Sequence, residues 1–166
     1  MMDSMQRTLA LALAMSLGSA QAHVVLQPKT AEAGTSIKAA FVVSHGCGAS
    51  PTAAIVVRIP ADVANVKPMA KANWIITTRK VADRVIEVAW RGNKLDPEHF
   101  DEFTIVMRVP DTPGKRYFAV RQECEDAVVD WSAIPAEGKT TRDDKTPAAE
   151  LEVVPAAGAP DLGHKH

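Results

Sequence analysis

Apolar residues in this chain recur at every second position, in runs that end before a helix could complete three turns. "SIKAAFVVS", "AAIVVRI", "WIITTRK", "RVIEVAW", "FTIVMRV", "YFAVRQ", "AVVDW" and "ELEVV" are short, rich in Val and Ile, and separated by Pro, Gly, Asp and Asn. No stretch holds a 3.6-residue apolar stripe over three turns. On an extended backbone successive side chains point to opposite faces, so each run can bury one face and wet the other. Such runs predict an all-β fold, an antiparallel β-sandwich of the immunoglobulin or cupredoxin sort, with a closed small barrel as the alternative. Pro60, Pro68, Pro97, Pro110, Pro113 and Pro135 are read between the runs, where a missing amide donor breaks no ladder. "AEGKTTRDDKTP" reads as an exposed loop before the last strand.

The two ends do not fit this pattern. Residues 1–22 have a short polar start with Arg7, the apolar run "TLALALAMSLG", and the small-residue pattern Ala20-Gln21-Ala22. That is the layout of a secretory signal peptide with its cleavage site. The apolar run is roughly half the ~20 residues that span a bilayer, so no membrane span is expected in the mature chain. Cleavage after Ala22 makes His23 the first residue of a periplasmic or secreted protein. Residues 23–155 form the expected domain, and 156–166 ("AAGAPDLGHKH") a Pro/Gly-rich tail. The net charge is −1, which leaves no basic surplus to suggest nucleic acid as a partner.

Two cysteines, Cys47 in "SHGCGAS" and Cys124 in "RQECEDA", favour a disulfide in an exported chain. The competing reading is a thiolate pair, with His45, on Cu(I) or Zn(II).

The order of motifs along the chain resembles a known family. "HVVLQP" directly after the signal is followed by "AGTSIKAAFVVSHGC", "VVRIPADVANVKP" and Trp74, then by "VAWRGNKLDPEHFDEF", "VPDTPGK" and "QECEDAVVDWSAIP". This resembles the YcnI-like copper-binding domains, over nearly all of the chain from His23 to about Pro155. The resemblance implies an exported bacterial β-sandwich of copper homeostasis that binds Cu(II) through a brace with a single histidine. It assigns the metal to His23, with Glu102 of "FDEF" as carboxylate and Trp131 of "VVDW" beside the ion. The implied partners are the copper ion and other periplasmic copper-handling or membrane copper-transport proteins.

Those residues suit Cu(II) chemically. An N-terminal histidine offers its α-amine and its ring Nδ1 to one ion in a six-membered chelate, and both shed a proton at neutral pH when a metal competes. Cu(II) prefers a tetragonal set of N and O donors. Alternation in "FDEFTIVMRV" sets Phe103, Ile105 and Met107 on one face and Glu102, Thr104 and Val106 on the other, so Glu102 need not enter the core with Phe103. Glu125 is the rival carboxylate, ahead of Glu98 and Asp101. Once the signal is removed only Met69 and Met107 remain, which gives a thioether Cu(I) site little support.

Trp131 is expected both to pack and to shield the metal, whereas Trp74 and Trp90 are expected to pack only. His45 and His99 read as turn or surface histidines, and His164 and His166 as part of a solvated tail. The function expected is storage or transfer of copper, not catalysis. The rivals are a copper-dependent oxidase, which would need a second histidine, and a metal-free immunoglobulin-like interaction module. No GxSxG or Gly-rich phosphate motif is present.

Overall fold

The computed structural model describes residues 23–158; the expected signal peptide and the tail histidines lie outside the described residues. Twelve strands are named in chain order: β1 (Val25–Gln27), β2 (Thr30–Glu32), β3 (Ser36–Val43), β4 (Thr52–Arg58), β5 (Ala64–Pro68), β6 (Ile75–Val81), β7 (Arg84–Leu95), β8 (Asp101–Arg108), β9 (Gly114–Phe118), β10 (Val120–Cys124), β11 (Val128–Trp131) and β12 (Ala149–Val154). One sheet runs β1-β3-β8-β5, a second β11-β10-β4-β7-β6, and a small third β2-β12-β9. Every ladder between these strands is antiparallel except β2 with β12. The expected β-sandwich is the fold.

The core lies where the period-two pattern puts it. Phe103, Ile105 and Met107 of β8 are all fully buried, while Glu102 and Val106 are exposed. Trp74 and Trp90 both stand edge-on to Phe103, at 5.0 and 5.6 Å between ring centroids. That edge-to-face geometry suits the quadrupoles of the rings. Both tryptophans pack, as expected.

Two local expectations give way to the geometry. "YFAVRQ" reads as one run, yet the chain changes sheets at Ala119: β9 pairs with β12, and β10 pairs with β4 and β11. Strands that switch sheets in this way form the corners of sandwiches. Pro68 is not between strands but ends β5, which is an edge strand with only β8 beside it. An edge position tolerates the missing donor. Among the described residues no helix is long and apolar enough to cross a membrane. The loop from Ala136 to Pro147 holds a 3-10 turn, Thr141–Asp143, and meets Ala133 through a bridge at Pro147.

Candidate metal centre

β1 and β11 are edge strands of the two main sheets, each the first in its order. His23 precedes β1 and Trp131 ends β11. Their rings meet edge-on with centroids 6.0 Å apart. His23 is half-buried and Trp131 is 6% exposed, so one side chain of the pair is rooted in the core and the other reaches solvent. His23 also lines a groove of about 360 Å³ together with Lys29, Arg142 and Glu150.

Trp131 is held in place by a residue that pattern reading overlooked. Its Nε1–H donates to Gln122 Oε1 at 3.0 Å. Gln122 is itself 1% exposed. Its amide nitrogen donates to the His45 carbonyl at 2.8 Å and to Thr52 Oγ1 at 2.7 Å, so the side-chain amide has a partner on each side. A buried amide is costly unless so satisfied. The signal was there in "VRQEC": Val120, Gln122 and Cys124 share the inward face of β10, and a glutamine there breaks an apolar row.

Cys47 and Cys124 are joined as a disulfide with Cα atoms 6.1 Å apart, which removes the thiolate reading of this pair. A bond of this kind persists in an oxidising compartment outside the cytoplasm. It ties the end of β10 to the "SHGCGAS" loop, whose turn is closed by Cys47 N–H to Ser50 O at 3.1 Å and Ser50 N–H to Cys47 O at 3.3 Å. Gly46 sits at a close approach where a Cβ would lie 2.2 Å from Ser50 O and 3.0 Å from Pro97 Cβ.

Glu102 is elsewhere. The registers Val25↔Val42 and Val42↔Glu102 place it in one row with Val25, two strands from β1. That is roughly 9–10 Å of backbone separation at the usual strand spacing. Its side chain is exposed, and Lys71 Nζ donates to its carbonyl oxygen at 3.0 Å and to Asp101 Oδ1 at 2.6 Å. The other carboxylates are engaged or outlying: Glu125 pairs with Lys94, and Glu98 and His99 lie exposed on the turn before β8. Among the described residues no group of three His, Cys, Asp or Glu side chains converges as a metal site. The structure thus brings together His23 and Trp131, and not Glu102. Met107 is sealed in the core and Met69 is exposed.

On the outer face of the second sheet, Arg91 and Arg121 flank Glu123. The Arg91 hydrogen bond and charge, with Arg121 behind them, hold the Glu123 carboxyl below the usual carboxylate range.

A family model described as "Domain of unknown function (DUF1775)" matches residues 23–153. No curated protein matches the chain. Among solved structures, it is similar to an uncharacterized protein from Nocardia farcinica with an immunoglobulin-like fold. The TM-score is 0.69 at 22% identity, over 79% of this chain and 97% of that one. A chain of a type I cohesin–dockerin complex from Clostridium thermocellum has a TM-score of 0.44 at 15% identity, over 80% of this chain and 98% of its own. A type I cohesin from Pseudobacteroides cellulosolvens has 0.43 at 16%, over 87% and 97%. The likeness to the first of these shows an immunoglobulin-like fold.

Proposed function

The chain belongs to the DUF1775 family, and on that premise we propose that it is an exported Cu(II)-binding protein of copper homeostasis, periplasmic or secreted, with the ion held at a mature N-terminal His23. The observation that carries this reading is the seat of His23. The residue that opens the family-matched segment lies edge-on to Trp131, whose indole is fixed in the core by Gln122. A terminal amine and an imidazole on one residue chelate without ordering a second segment, and a rigid indole beside them keeps water and competing ligands off one side.

The donor chemistry fits Cu(II) better than Cu(I). Both cysteines are spent in the disulfide, and the fully buried Met107 is out of reach. What His23 offers is hard-to-borderline nitrogen, which suits a tetragonal Cu(II). Its position gives Glu102 no part in this support. The protein stores the ion or hands it to other copper-handling or membrane copper-transport proteins, and it does not turn over a substrate.

The test is one added residue. A mature chain with Ala placed before His23 keeps every side chain but converts the amine to an amide, a poor ligand at neutral pH. It should fold normally, since a chain start tolerates extension. Cu(II) affinity should fall sharply and the EPR spectrum should change, and His23→Ala should do the same. Unchanged binding in the extended chain refutes the terminal chelate.

The immunoglobulin-like fold and the lack of a three-ligand cluster among the described residues favour a second reading, a metal-free interaction module. Calorimetric titration of the mature chain with Cu(II) separates the two: no heat of binding leaves the module.

A further inference from the structure

We propose that the edge formed by β5 and β6 is a docking groove for an extended, acidic segment of a partner protein. The proposal does not rest on the copper reading. His23 and Trp131 lie by β1 and β11, the first strands of their sheets, whereas β5 and β6 are the last.

The groove follows from an unequal strand count. The second sheet has five strands and the first has four. β5 packs against β7, so β6, the next strand of the larger sheet, lies beyond the edge of the smaller one. The registers show what that leaves uncovered. Ile76, Thr78 and Lys80 share a face with Trp90, Val88 and Val85, all three of which are buried in the core. Ile76 is still half-buried, but Thr78 and Lys80 on the same face are exposed. Beside them is a groove of about 1030 Å³ lined by β5, by the end of β6 and by the turn into β7. Stacked sheets lie roughly 10 Å apart and neighbouring strands about 4.8 Å apart, so the position next to β5 and under β6 has the dimensions of one further strand.

The lining sets the chemistry of the occupant. Val66 and Val85 contribute buried apolar surface, and Val81 and Val106 add valines that are 58% and 46% exposed. An extended chain can cover such a surface with every second side chain. Its other side chains meet cations. Lys67, Lys80 and Arg84 line the groove against a single carboxylate, Asp83, in a chain whose net charge is −1. Among the described residues none of these three cations is in an ion pair. Carboxylates at alternate positions of the incoming segment complement that charge. Main-chain pairing alone is poorly served here: the β5–β8 register shifts between Ala64 and Lys67, and Pro68 has no amide to donate. Edges of this kind resist strand addition by arbitrary chains, which leaves side-chain charge to select the partner.

The probe is a capped peptide of alternating glutamate and valine, titrated into the isotopically labelled mature chain and followed by amide chemical shifts. Shifts should move at residues 63–67 and 78–85 and stay in place at Trp131. Binding should weaken as salt is added. K80E with R84E reverses two exposed charges and should bind at least about tenfold more weakly, and a peptide with lysine in place of glutamate should not bind. No shift on titration, shifts elsewhere on the protein, or equal binding of the lysine peptide overturns the proposal. Self-association of the unaltered chain that K80E with R84E abolishes also overturns it, because the groove then takes a second copy. The shift map is read on the unaltered protein, so it decides the matter even if the double variant folds poorly.

Discussion

Replacing Gln122 with Leu tests whether the buried amide holds this end of the sandwich together. Leucine is similar in size but removes the acceptor for Trp131 Nε1 and the donors to the His45 carbonyl and Thr52 Oγ1. Thr52 can turn its hydroxyl toward Cys124 Sγ, 3.9 Å away, so its loss is small. The buried indole N–H has no such recourse, while the carbonyl lies in a part-buried contact and can turn partly to solvent. A buried polar group left without its partner costs about 1–3 kcal/mol. The indole with the lesser share of the carbonyl, less the gain from burying an apolar side chain, gives a net loss of about 2 kcal/mol. For a domain of this size unfolding entropy is about 0.3 kcal/mol/K, so Tm should drop by roughly 7 °C. Urea unfolding followed by circular dichroism measures the first figure and calorimetry the second. A cycle with Trp131→Phe isolates the indole bond: in that background Q122L should cost about 1 kcal/mol or more less than it does alone. If Q122L loses under about 1 kcal/mol, or its cost simply adds to that of W131F, the amide does not join these elements.

The disulfide closes a separation of 77 residues, so Cys47→Ser with Cys124→Ser should cost about 4–5 kcal/mol on the loop-entropy argument, and thiol labelling of the exported protein without reductant should find no free cysteine. Glu123→Gln removes a carboxylate whose pKa is lowered on folding, a contribution present at neutral pH and lost as acid protonates it. The variant should be less stable at pH 7 by about 1 kcal/mol or less, and the gap should close as pH falls below the ordinary value of 4.5. Gly46→Ala places a methyl against Ser50 O and should destabilise by about 1–3 kcal/mol. With copper and a reductant the protein should release no more peroxide than copper bound to a simple chelator, and sustained turnover or sugar oxidation would move it to the oxidases.

What could be read in advance follows from where the information sits. β8 was legible because Phe103, Ile105 and Met107 recur at every second position and face a single core. The disulfide was legible because two cysteines in a chain read as exported have few other uses. β5 was not, since "ANVKP" turns only Val66 fully inward and ends in a proline that its edge position excuses. The corner at Ala119 carries no breaker residue, and only the pairing of β9 and β10 with different partners reveals it. The site was half legible. A histidine after an A-x-A pattern can be seen, but its meeting with Trp131 is a contact between sheets, and the Gln122 bond to Trp131 a diagonal contact between neighbouring strands, neither of which spacing encodes.

The parallel pairing of β2 with β12 has a consequence in time. Residues 30–32 lie against 152–154, and His23 meets a ring on β11, so the beginning of the chain is completed by its end. Contacts of such long range form late, because loop closure must be met before they return any stabilisation. On the copper reading, signal cleavage exposes the amine and imidazole of His23 while most of the surrounding frame is still unformed. The nascent terminus is then an open chelator. The amine–imidazole chelate already prefers Cu(II) among divalent ions, and the arrival of β11 adds what the open terminus lacks, the Trp131 ring on one side of it.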